Sequence, residues 1–272
     1  MADAQHSTGA ARAAREESKT LSDAGLLGTS DHPEMPNVSL EGPAKKSPDT
    51  PDPSDEVLVD QAGRALGPRA LQTRRKILDA TVALLSEKPM RDMRVIDIAR
   101  RIGSSPATFY QYFKDVEDVV LHLGEQAREA TPMLVELIEG DWDGPEGHER
   151  GRRISNLVID HWEKYQPVLR ARNNASDEGN VLLREQRMAG LMPLVAAFKA
   201  AIERADAKAA EEGTQSAERL GRIDPLVGAT TLTSCLERTS MYHSWIEEMG
   251  ASRDALVETT ATFLQSMLTS KR

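Results

Sequence analysis

The feature that most constrains this chain is a helix stop followed at once by a helix start, in "RIGSSPATFYQYF", residues 101–113. Val95, Ile98, Ala99 and Ile102 form a short stripe of helical period, and Gly103 ends it. Glycine is the residue that accepts the left-handed backbone of a helix terminus. Ser105 then offers a side-chain cap and Pro106 a ring suited to the first helical position, so a second helix begins within three residues. Two short helices joined by so tight a turn read as a helix-turn-helix. The whole chain has 3 Trp, 4 Tyr and 4 Phe, yet Phe109, Tyr110, Tyr112 and Phe113 stand within five positions. A helix of two turns does not hold itself in water. Phe109 and Phe113, four apart, therefore read as inward anchors facing Ile98 and Ile102. That leaves Thr108, Gln111 and Tyr112 on the outer faces and Tyr110 near the boundary, with tyrosine hydroxyls able to reach phosphate oxygens.

Helical periodicity continues almost throughout from residue 69. Ile77, Ala80, Thr81, Leu84 and Leu85 make a stripe ending before Pro89. Asp115 caps a helix whose face includes Val119, Val120, Leu123, Leu134 and Leu137. Ile154, Leu157, Val158, His161, Trp162 and Tyr165 share one continuous face. Met188, Leu191, Met192, Val195 and Ile202 mark a long helix, and two more helices span about 225–248 and 252–269. No segment alternates with period two over a useful length, so the expected fold class is all-α with about nine helices. Residues 1–60 hold six of the fourteen prolines, including "SPDTPDPSDE", and few apolar residues. They read as a disordered acidic tail. Residues 61–120 then form the helix-turn-helix domain and 121–272 a second helical domain.

A net charge of −9 argues against nucleic acid until it is counted by segment. Residues 1–68 hold 6 Lys/Arg and 12 Asp/Glu, residues 127–272 hold 18 and 23, and residues 69–126 hold 10 and 8. The one positive segment is the helix-turn-helix, as phosphate binding requires. Arg64, Arg69, Arg74, Arg75 and Lys76 read either as the solvated face of a first helix or as a basic arm beside a phosphate backbone. The single cysteine, Cys235, excludes an internal disulfide and a cysteine zinc site, and reads as a small apolar residue in a helix. With no secretory signal and no apolar run of spanning length, the expected location is the cytoplasm, at the nucleoid.

Residues 73–120 resemble the TetR family of one-component transcriptional regulators. The resemblance rests on Ile98-Ala99, Gly103, Ser105, Thr108-Phe109-Tyr110 and Phe113-Lys114-Asp115. It implies an N-terminal three-helix DNA-binding domain with a recognition helix at about 105–112, followed by a ligand-binding and dimerisation domain. It further implies that Ser105, Thr108, Tyr110, Tyr112 and Lys114 contact phosphates of a double-stranded operator, and that Pro106, Ala107 and Gln111 face bases. Glutamine can pair with an adenine edge, and alanine offers a methyl contact to thymine. Arg94 departs from the family's Ser or Thr at the start of the supporting helix, which removes a cap and adds a cation. The resemblance also implies a homodimer through the last two helices and a small-molecule effector.

In the second domain Trp162, Tyr165, Met188, Met192 and Tyr242 supply adaptable apolar walls, with His161 and Asn156 as polar anchors. The expected effector is small and apolar or amphipathic, releasing a repressor from a palindromic operator. The alternative is a DNA-binding regulator without such an effector, governed by a protein partner or by the acidic tail. No phosphate loop, dinucleotide fingerprint, HExxH or GxSxG occurs. "DWDGPEGHE" gathers carboxylates and a histidine, but Pro145 stands where a calcium loop needs an oxygen, so it reads as a solvated loop. No enzyme, cofactor or metal is expected.

Overall fold

The computed structural model describes residues 58–212 and 223–271, and the expected tail lies outside them except for residues 58–60. Those residues form ten α-helices, one 3₁₀ turn at Met90–Asp92 and a lone antiparallel bridge between Val59 and Ala65. The fold is all-α. In chain order the helices are α1 (Pro68–Glu87), α2 (Val95–Arg101), α3 (Pro106–Tyr110), α4 (Val116–Arg128), α5 (Thr131–Ile138), α6 (Gly144–Asp177), α7 (Val181–Glu211), α8 (Pro225–Met241), α9 (His243–Glu248) and α10 (Arg253–Leu268).

Two helices expected to be continuous are each divided. The stripe from Val119 to Leu137 breaks before Thr131-Pro132, because proline lacks the N–H that would carry α4 onward. The helix expected at 225–248 breaks at Tyr242, where His243 Nδ1 lies 2.7 Å from the Ser240 carbonyl. The expected division at 120/121 falls inside α4.

α1, α2, α3 and the start of α4 enclose one apolar core. Ile77, Ile98, Phe109, Phe113 and Val119 are completely buried in it. A second core, built on Trp162, Phe198, Ile202, Leu232 and Leu264, joins α5, α6, α7, α8 and α10. α6 runs through both, sending Val168 to the first and Leu169 to the second. α4 does likewise through Val119 and Ala127. The "DWDGPEGHE" stretch is largely exposed, as a solvated loop would be, but from Gly144 it is the first turn of α6. Trp142 is buried, and Asp143 accepts hydrogen bonds from Lys208, Thr269 and Ser270, pinning the end of α10. Cys235 is exposed rather than packed.

Candidate nucleic-acid interface

The turn that begins the site is built by backbone geometry. Gly103 adopts φ +66°, its N–H bonds to the Arg100 carbonyl at 3.1 Å, and the Ser104 N–H reaches the Ala99 carbonyl at 2.9 Å. This pair of bonds closes α2 and turns the chain sharply into α3. The Thr108 N–H donates to Ser105 Oγ at 3.3 Å, capping α3, with Pro106 as its first residue. The next helix has a reciprocal cap. The Asp118 N–H donates to Asp115 Oδ1 at 2.8 Å, and the Lys114 N–H donates to Asp118 Oδ2 at 2.9 Å.

The phenylalanines stand where the spacing puts them, 5.9 Å apart between ring centroids and fully buried. Arg74 lies over the Phe113 ring at 4.9 Å, so this member of the expected basic arm is a packing residue. Arg75, Lys76 and Arg69 are exposed on α1, and Arg64 pairs with Asp60 in the segment before it.

The tyrosines exchange the exposures expected of them. α3 ends at Tyr110, shorter than the expected 105–112, because Gln111 and Tyr112 enter a turn. Tyr110 is 53% exposed, whereas Tyr112 is half-buried against the first core. Ser105, Ala107, Gln111 and Lys114 are exposed, and Pro106 and Thr108 are partly so. Arg94 is exposed at the start of α2, and the cap its side chain cannot provide comes from the third helical residue. Asp97 Oδ2 accepts from the Arg94 N–H at 3.0 Å and from Lys88 Nζ at 2.6 Å. Tyr110, Gln111 and Lys114 are thus exposed at the end of α3 and just beyond it, and Arg94 and Arg100 are exposed on α2 and its start.

The residues proposed for a ligand are less concentrated. Trp162 is buried in the second core, and His161 and Tyr165 face each other with centroids 5.2 Å apart. Burial, then the charges of Arg172 and Lys164, lower the His161 imidazole from 6.5 to about 4. Asn156 spends its amide N–H on the Arg152 carbonyl, one turn back in α6. Met188 and Met192 stand exposed on α7, and Tyr242 is exposed beside Arg238 and Trp245.

Sequence reasoning missed a polar network between α6, α7 and α8. Buried Arg172 donates from Nε and Nη2 to Asn173 Oδ1, and Asn173 Nδ2 donates to Glu237 Oε1 at 3.0 Å. Arg187 bridges Glu237 and Asp177, both at 3.1 Å. Burial lowers the Arg172 guanidinium to about 10, against the pull of Glu237. The available signal was "ARNNAS", residues 171–176, an arginine and two asparagines among small residues. Also missed were the ties between head and body: Asn180 Nδ2 to Glu117 at 2.6 Å, Gln186 Nε2 to the Leu121 carbonyl at 2.6 Å, and Arg91 to Glu178 at 2.7 Å.

A bi-helical turn with a capped, aromatic-anchored outer helix defines a helix-turn-helix DNA-binding protein. Residues 77–123 match the model for bacterial regulatory proteins of the tetR family. The fold matches a protein from Syntrophomonas wolfei assigned to the TetR-family transcriptional regulators (17% identity, TM-score 0.51, 73% of this chain and 95% of that one). It also matches the fatty acid degradation regulator FadR of Bacillus halodurans (17% identity, TM-score 0.51, 74% and 97%) and SmeT in complex with triclosan (20% identity, TM-score 0.50, 71% and 91%). By sequence the chain matches no curated protein. Residues 77–123 are thus a helix-turn-helix of the tetR-family type, and the fold around it resembles that of TetR-family regulators. Among the described residues no group of three or more His, Cys, Asp or Glu is placed to hold a metal, and no helix is long and apolar enough to cross a membrane.

Proposed function

We propose that the protein is a homodimeric repressor that reads a palindromic operator with α3 and leaves it when a small apolar or amphipathic ligand binds among α5 to α8. The reading rests chiefly on the outer surface of α3, where Tyr110, Gln111 and Lys114 stand exposed above two fully buried phenylalanines. Phosphate contacts from Ser105, Thr108, Tyr110 and Lys114, with Arg94 nearby, would set the register. Pro106, Ala107 and Gln111 would face the bases. Tyr112 contributes through packing as well as through its hydroxyl.

Dimerisation through α8 and α10 is supported by apolar surface left open in the protomer. Leu226, Val227, Thr231 and Cys235 form an exposed face along α8, and Phe263 of α10 is also exposed. A ligand lodged by His161, Trp162 and Tyr165, with Asn156, Met188, Met192 and Tyr242 toward its edges, would act on α6. That helix enters both cores. The related fold of SmeT holds triclosan, and the FadR fold belongs to a regulator of fatty acid degradation, which supports an apolar effector here. Coupling then follows if ligand favours a dimer whose α3 helices no longer match successive major grooves, about 34–36 Å apart. The site of action is the cytoplasm, at the nucleoid.

Selection of bound duplexes from a random library, with wild type and Tyr110→Ala in parallel at near-physiological salt, tests the reading. A palindromic consensus that weakens in the variant is the expected result. A wild type that enriches no sequence sinks it.

A further inference from the structure

The segment before α1 is folded against the recognition helix. Asp60 organises a turn, accepting on Oδ1 from the Ala62 and Arg64 N–H groups at 2.9 and 3.0 Å. Gly63 completes it at φ +76°, and Leu66 N–H closes the ends on the Leu58 carbonyl at 2.8 Å. From this turn Gln61 projects two donors onto the exit of α3. Its backbone N–H reaches the Gln111 carbonyl at 3.0 Å, and its Nε2 reaches the Tyr112 carbonyl at 3.3 Å.

α3 has only five residues. So short a helix has no stability of its own, and its last carbonyls have no partner within it. Its N-terminal end is held by Ser105 and its inner face by Phe109. The exit, where Gln111 stands exposed, is held from outside by Gln61. We propose that residues 58–66 form a strap that fixes the C-terminal end of the recognition helix for base reading, with Gln61 as the positioning residue. The strap acts through orientation and not through charge, since Arg64, its one cation, is already paired with Asp60. This inference rests on the DNA-reading role given to α3 above.

The test uses the full chain in four forms: wild type, Gln61→Ala, Gly63→Val and Arg64→Ala. Gly63→Val strains a positive-φ turn without a clash, because a Cβ there meets nothing within 4 Å. Each form is titrated with the selected operator and with a scrambled duplex over a range of salt, and its thermal midpoint is measured without DNA. Gln61→Ala, which removes the Nε2 bond and keeps the backbone one, should weaken operator binding about two- to threefold, and Gly63→Val, which displaces both, roughly three- to tenfold. Scrambled-duplex affinity, salt slope and thermal midpoint should stay as in wild type, and Arg64→Ala should bind normally. Equal weakening on both duplexes with a flatter salt slope, strongest in Arg64→Ala, would make the segment a phosphate-binding arm and overturn the proposal. Unchanged operator affinity, or a loss that tracks a fallen thermal midpoint, would overturn it too. A wild type that selects no sequence removes both this inference and the DNA-reading function, whereas normal wild-type selection with indifferent variants removes the strap alone.

Discussion

In the DNA-binding head the described interior is almost wholly apolar, whereas the helices behind it bury charged and amide side chains. Among the described residues of α1 to α4 the buried polar side chain is Thr81, satisfied by the Ile77 carbonyl at 2.8 Å. Among α6, α7 and α8, Arg172, Asn173 and Ser176 are buried, while Leu226, Val227 and Met192 face solvent. Buried charge reduces stability unless it is paired, and behind the head Arg172 is held by Asn173 beside Glu237.

That contrast can be broken by experiment. The largest effect is expected from Phe113→Ala, which empties a fully buried site at the centre of the head. It should cost about 3–5 kcal/mol in urea unfolding and abolish operator binding. Because α6 sends Val168 into the head core and Leu169 into the other, the loss should appear in a single transition. Two separated transitions would show that the regions are energetically independent.

Glu237→Ala should destabilise by about 2–3 kcal/mol, since it leaves Arg172 and Arg187 facing each other without their shared carboxylate. Arg172→Met should change stability by less than about 1 kcal/mol, because an apolar side chain of similar length replaces a desolvated charge. Equal losses in the two variants would mean that the network behaves as packing and not as buried charge.

His161 sharpens the comparison through pH. Its imidazole is lowered to about 4 in the folded protein by burial and by Arg172 and Lys164, against 6.5 when unfolded. The folded state therefore resists protonation. Its contribution is complete above about pH 6.5 and is lost as pH falls from there toward 4, amounting to about 2 kcal/mol after allowance for partial exposure. His161→Phe should flatten the unfolding free energy across that window, and an undiminished slope would refute the assignment. The smallest effect belongs to an exposed tie between the regions. Glu178→Gln, which removes the partner of Arg91, should cost under about 0.5 kcal/mol by thermal unfolding.

The head was the more legible region because its signals are local. Gly103, Ser105 and Pro106 act on their own backbone neighbours, and the four-residue spacing of Phe109 and Phe113 assigns a face without reference to any distant element. The exposure of Tyr110 and Tyr112 differs from expectation because α3 ends at Tyr110, and the turn that follows brings Tyr112 toward the core. The Arg94 position looked uncapped because the compensating carboxylate, Asp97, acts from three residues further on. Behind the head, Met188, Met192 and Tyr242 share a residue type with core positions, and only packing shows that they stand at the surface.

Sequence by itself determined the helical class, the positions of most helix starts and stops, and the helix-turn-helix with its buried anchors. Each follows from interactions within one or two turns of chain, where residue type and spacing are sufficient. Tertiary structure alone decided that α6 threads both cores, that Arg172 and Glu237 share a buried network, and that Gln61 holds the end of α3 from fifty residues away. Those contacts join partners distant in the chain, and no local periodicity records which surface a helix meets once the chain has folded.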